Sequence, residues 1–241
     1  EPKLNYSAKA FYKVCLVVLA AILSGCSTHV TDFTEIDREP QIEPDYTSIT
    51  IPPNIAPLNF TINEKADKYM AILHPPKGKE ISITSGSGMI SIPIKKWKRL
   101  LEQCKEKELF IDVFINQGGQ WQKFQPVINQ VTSDSIDSHL VYRLIDPGFV
   151  MWHKLGIYQR NLENFDESPI MINEMSEDNC MNCHSFYKNQ SNTMLFHMRG
   201  KLAGTIIYRN GKISKVNTKT SQTISAGVYP AWHPNGRYVA F

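Results

Sequence analysis

From Thr47 onward the chain reads as short β-rich runs separated by turn residues, and this rhythm limits the fold more than any other feature. Residues 49–51 end at Pro52-Pro53, and 58–62 alternate apolar with polar. Residues 69–73 end at Pro75-Pro76-Lys77-Gly78, and 81–84 and 89–93 flank the turn string Ser85-Gly86-Ser87-Gly88. Further runs follow at 109–115, 121–131 and 140–144. Strands this short and this evenly spaced predict a mainly β fold, with a β-sandwich-like domain over 46–165. One helix interrupts them. Ile94, Trp97, Leu100, Leu101 and Cys104 share one helical face, while Lys95, Lys96, Lys98, Arg99, Glu102 and Lys105 take the others. Cys104 is therefore expected to be a buried structural thiol, and the lysines a solvated face. No phosphate-binding glycine loop and no Gly-x-Ser-x-Gly elbow occurs here, and Asp112, Asp134 and Asp137 have no meaningful spacing.

The N-terminus reads as an address. Lys3, Lys9 and Lys13 precede the ten apolar residues 14–23. Ten helical residues reach about 15 Å, half of a ~30 Å bilayer core, which suits a signal-peptide core rather than a stable span. Leu23-Ser24-Gly25-Cys26 resembles the bacterial lipobox, which makes residues 1–25 a lipoprotein signal peptide and Cys26 the lipid-attachment residue; the plainer alternative is a signal peptide beside a chance cysteine. Two or three acyl chains would give stable anchoring. Residues 26–45, with Asp32, Glu35, Asp37, Glu39 and Glu43, then read as an acidic tether. The expected location is the cell envelope or outer membrane, facing periplasm or exterior, with the lipid as the membrane contact. A net charge of +3 without a Lys/Arg block argues against nucleic acid as a partner.

Cys180-Met181-Asn182-Cys183-His184 is the strongest local motif. C-x-x-C-H is the attachment pattern of c-type haem. Two thiols three positions apart on a helical turn can reach two vinyl groups of one porphyrin edge, and the following imidazole can meet the iron. Asp178 or Asn179 is expected to cap that short helix. A structural zinc site would need a second ligand pair, which is missing. A thioredoxin-like pair would need a preceding strand and a long following helix, and a simple disulfide leaves His184 unexplained. The reading is one covalent haem c over segment 166–203, held by Cys180, Cys183 and His184. For the second iron ligand His197 is favoured, with Met198 or Met194 as fallback and His153, Met171 and Met175 upstream; ordinary packing is the alternative for each. Arg199 is a candidate donor to a haem propionate.

Residues 204–209 and 212–216 flank Asn210-Gly211, the signature of a type I′ hairpin. The stretch from Tyr229 to Phe241 resembles the TolB-like propeller repeat, with Pro230, Trp232, Pro234, Gly236, Ala240 and Phe241 in place and His233 and Asn235 as turn-compatible replacements. Residues 204–241 are thus expected to be the first blade of a β-propeller. One blade cannot bury its faces, so the pattern implies a truncated propeller, the chain being the N-terminal part of a longer protein.

The whole arrangement resembles a family of exported TolB-like lipoproteins that carry a single c-type haem motif and are loosely described as cytochrome c biosynthesis proteins. The resemblance rests on Cys26, Gly156-Ile157-Tyr158-Gln159-Arg160, the C-x-x-C-H with Ser185-Phe186, His197-Met198-Arg199-Gly200 and residues 232–241. It implies a lipobox, a β-rich N-terminal region, one haem and propeller repeats, but no defined biochemical role. Three functions compete. The first is a membrane-anchored monohaem cytochrome that transfers electrons to an unknown redox partner outside the inner membrane. The second is a scaffold with a structural haem, whose propeller binds a protein or glycan. The third is a peroxidase-like haem enzyme with an open iron site.

Overall fold

The computed structural model describes residues 30–145, 147, 155–223 and 227–241. Residues 1–25 and Cys26, with the expected signal peptide and lipid site, lie outside the described residues, as does His153. The fold is mainly β, with one α-helix among the described residues. The chain divides into two compact units, one running through Pro53 and again over Leu58–Ser133, the other comprising Asn54–Pro57 and Asp134–Phe241. The expected division near residue 165 therefore falls inside the second unit.

The first unit holds β1 (Thr34–Ile36), β2 (Ile42–Glu43), β3 (Thr50–Ile51), β4 (Phe60–Ile62), β5 (Lys68–His74), β6 (Ile81–Ser85), β7 (Met89–Ile90), α1 (Ile94–Cys104), β8 (Glu108–Gln117), β9 (Gln120–Phe124) and β10 (Val127–Val131). The long strand β8 organises it. One edge pairs antiparallel with β5; the other is shared by β10 near its start and β9 near its end. The expected single run 121–131 is two strands because Pro126, which has no N–H to give a ladder, separates them. β6 extends the sheet beyond β5, and β2, β4 and β7 form a separate three-stranded antiparallel sheet. Two pairings depart from the antiparallel expectation: β1 lies parallel to β9 and β3 parallel to β10. α1 packs on β6, β8 and β10. Its apolar stripe sinks Trp97, Leu100, Leu101 and Cys104 while the lysines stay in solvent, as the spacing requires.

The acidic stretch 26–45 is not a free tether from Val30 onward. Val30 and Phe33 pack against Met70, Ile72 and Phe114. The Arg38 guanidinium donates to both Glu64 carboxylate oxygens at 2.7 and 2.8 Å, and the Gln41 N–H adds a third bond at 2.9 Å. Apolar residues interleaved with the acids supply the packing that the overall charge hides.

The second unit holds β11 (His139–Ile145), β12 (Leu155–Asn161), β13 (Glu167–Ile172), β14 (Met181–Phe186), β15 (Thr193–Met198), β16 (Gly204–Arg209), β17 (Lys212–Val216), β18 (Ala231–Trp232) and β19 (Val239–Ala240). β11, β12 and β13 form an antiparallel sheet, and β14 to β17 form another in sequence order. Asn54 anchors 54–57 here, donating to the Ile136 carbonyl and accepting from its N–H. Asn210 and Gly211 both have positive φ, 48° and 81°, as the type I′ turn between β16 and β17 demands.

These sheets stay open and do not close into a propeller ring. The four-stranded sheet covers residues 181–216 and so cuts across the expected boundary at 203/204. The TolB-like residues 230–241 form a separate hairpin, β18–β19. His233 is a turn residue there: its carbonyl accepts from Gly236 N–H at 2.8 Å, and its Nδ1 from Asn235 N–H at 3.2 Å. Trp232 Nε1 donates to the Ser185 carbonyl and Tyr187 Oη to the Pro234 carbonyl, which docks the hairpin beside the end of β14.

Candidate haem-attachment site

The cysteine motif runs from Cys180, just before β14, into that strand, and not over the expected helical turn. A 3-10 turn at Asn173–Ser176 leads in, and then Glu177 and Asp178 both take positive φ. Asp178 at φ 56° cannot serve as an N-cap, which needs extended backbone. Asn179 caps no helix either; its amide nitrogen donates to the Ser176 carbonyl. The neighbouring strand β15 is buried throughout, and its free edge draws 181–186 into the ladder.

The ladder is interrupted where the chemistry sits. Asn182 stands opposite His197 and Ser185 opposite Leu195, so Cys183 and His184 together face the single residue Phe196. That is a β-bulge, a device that re-aims side chains. Cys183 takes φ 54°, the left-handed region that a non-glycine residue enters at a cost. Asn182 holds it there: its Oδ1 accepts from the Cys183 N–H at 2.9 Å and from the Arg143 guanidinium. Sequence reasoning treated Asn182 as a spacer, although asparagine's habit of bonding nearby backbone was a usable signal.

Cys180 and Cys183 are both free thiols and partly buried. Cys180 packs against a cluster that contains Met181, Met194, Phe196 and Met198, and its carbonyl accepts from Arg199 N–H at 2.8 Å. The His184 ring lies edge-on to Phe186 at 6.4 Å. Burial pushes its pKa below the usual histidine value; a hydrogen bond to the Val141 backbone opposes this, and nearby Arg143 adds to it. The imidazole is therefore neutral near pH 7, the form that can ligate a metal.

His197 is 1 % exposed. Its Nδ1 lies 3.4 Å from Thr205 Oγ1, and its buried Nε2 has no hydrogen-bond partner among the described residues. Burial and Arg199 lower its pKa. Strand alternation places His197 on one face of β15 and Met194, Phe196 and Met198 on the other. Those three residues line a cleft of about 1430 Å³ with Val141, Met171 and Phe186. Arg199 is solvent-exposed. Among the described residues, no three His, Cys, Asp or Glu side chains gather to hold a bare metal ion. In the first unit Asp112, which looked isolated in sequence, lies 3.0 Å from Lys123 Nζ and 3.5 Å from His74 Nε2.

The residues fit a covalently held haem in their donor set: two unpaired thiols at the attachment spacing, a neutral imidazole beside the second, and an apolar cleft against the same strand. No protein-family model matches the chain, and no curated protein matches it.

Proposed function

We propose that this protein is a membrane-anchored, monohaem c-type cytochrome lipoprotein that carries electrons outside the inner membrane. One observation carries the reading: Cys180 and Cys183 are free, partly buried thiols, and the bulge on β14 turns the second of them out of the ladder together with His184. Cys180 and Cys183 would hold the haem as thioethers and His184 would ligate its iron. A bound haem would supply a one-electron iron couple. The chain's own residues do the rest. Asn182 fixes the bulge, Arg143 braces Asn182, and the burial around His184 keeps its ring nitrogen unprotonated. Arg199, exposed just past the end of β15, would donate to a propionate. The anchor belongs to the lipobox cysteine, Cys26. The TolB-like residues 230–241, on the β18–β19 hairpin, are what supports reading 204–241 as the start of a propeller.

The test is expression of the full chain in a bacterial host with the cytochrome c maturation machinery. Haem that survives denaturation, a pyridine haemochrome spectrum and a reversible redox titration are expected. A chain recovered without covalent haem refutes the proposal. A high-spin ferric form that binds cyanide rapidly would favour a haem enzyme over electron transfer.

A further inference from the structure

We propose that a pocket in the first unit, flanked by residues 30–32 and the β5–β6 hairpin, binds a saccharide, with the Trp121 indole as its platform and Asp32, Lys68 and Thr84 as its hydrogen-bonding groups. The inference stands independently of the haem reading.

The pocket has a volume of about 660 Å³, inside the range of roughly 300–1,000 Å³ usual for small-ligand sites. Stretches far apart in sequence build it. Val30 and Asp32 come from the segment entering β1, Lys68 from the start of β5, Thr84 and Gly86 from the end of β6 and its turn, and Trp121 from β9. Val30 and Trp121 pack against Met70, Ile72 and Phe114, so the indole is set by the sheet beneath it rather than left to turn in solvent. Asp32, Lys68, Thr84 and Gly86 are exposed, which leaves the site open to a ligand from solution.

The lining holds unspent bonding capacity. Among the described residues, the Asp32 carboxylate, the Lys68 ammonium, the Thr84 hydroxyl and Trp121 Nε1 make no hydrogen bond or ion pair, although Asp32 and Lys68 carry opposite charges and line the same space. The carboxylate accepts, the ammonium and the indole N–H donate, and the hydroxyl does both. That mixture beside an aromatic wall matches a pyranose ring, whose hydroxyls give and take hydrogen bonds around its rim. Its C–H face, polarised positive, lies on the negative face of the indole. A simple anion meets Asp32, a simple cation meets Lys68, and an apolar molecule strips water from both without replacing it. A zwitterion such as a free amino acid matches the two charges, but both side chains are exposed, where ion pairs contribute little.

The test is isothermal titration of the full chain, with or without haem, against trisaccharides built from hexoses, N-acetylhexosamines and hexuronic acids. Free amino acids serve as the competing class, and each titration is run at low and high salt. Four variants accompany the wild type: Asp32→Asn, Lys68→Gln, Trp121→Leu and Gly86→Tyr. A Cβ at Gly86 meets nothing within 4 Å and the backbone there is not left-handed, so the tyrosine leaves the fold intact while crowding the pocket. Asp32 and Lys68 are exposed, so their replacements also keep the fold, and thermal melts check all four. At least one trisaccharide is expected to bind with little dependence on salt. Its affinity should fall about tenfold in Asp32→Asn and in Lys68→Gln, and be lost in Trp121→Leu. Three results would overturn the proposal: no trisaccharide binds; binding is unchanged in Asp32→Asn, Lys68→Gln and Gly86→Tyr alike; or free amino acids bind more tightly than every saccharide and are released by salt.

Discussion

Cys183 is held at φ 54°, and this makes a quantitative demand. A non-glycine residue in the left-handed region costs about 1–2 kcal/mol. Glycine escapes that cost but loses about 0.5–1 kcal/mol in backbone entropy. Cys183→Gly and Cys183→Ala both delete the thiol, so their difference isolates the backbone. The glycine variant should be more stable than the alanine variant by about 0.5–1 kcal/mol. With a urea slope of about 2 kcal/mol/M, its midpoint lies higher by about 0.3–0.5 M. The assay is urea unfolding of both variants expressed without the attachment machinery, read by hydrogen exchange of the β14–β15 ladder amides. Equal midpoints, or a more stable alanine variant, would refute the bulge geometry. The comparison also has a functional reading, because backbone strain of this kind concentrates at working sites.

Three further outcomes are expected. Burial raises the Cys104 thiol to about 11, so a thiol reagent at pH 8 should leave it unmodified in the folded chain and label it after denaturation. The Arg38 bonds lower the Glu64 pKa, so their stabilisation is present above the unfolded carboxyl value of 4.5 and is lost as pH falls through the lower folded value; Arg38→Ala should cost about 1 kcal/mol at neutral pH, after allowance for the half-exposed guanidinium, and almost nothing in acid, as thermal melts would report. Gly211→Ala places a side chain at φ 81° in the β16–β17 turn and should destabilise that hairpin by about 1 kcal/mol, measured by amide exchange across its ladder.

The parts of this fold legible in sequence are those written in local periodicity. α1 ends where its stripe of Trp97, Leu100, Leu101 and Cys104 ends, and the Asn210-Gly211 turn sits where its dipeptide signal puts it. What could not be read depends on partners far along the chain. β1 is three residues in an acidic stretch, and it is a strand because β9, some ninety residues later, offers a parallel edge. The unit boundary at Ser133 follows from β11 pairing with β12 and β12 with β13, which no local composition marks. The same holds at the candidate site. The spacing of Cys180, Cys183 and His184 pointed to haem attachment, but the helix expected to carry it is replaced by a bulged strand because the apolar strand β15 lies alongside. His197 was favoured as a ligand by its distance from His184 in sequence; that alternation along β15 sets it on the face opposite Met194, Phe196 and Met198 is visible only once 193–198 is known to be extended.

The packing of Val30 has a consequence for where the molecule works. Val30 is fixed against the first unit's sheet, and it follows Cys26 by four residues. A chain of that length spans at most about 14 Å. If Cys26 carries lipid, the Met70, Ile72 and Phe114 surface on which Val30 packs is tied close to the lipid-bearing residue rather than free to sample the periplasm. Lengthening the segment between Cys26 and Val30 would then be the direct way to let the first unit move away from the membrane.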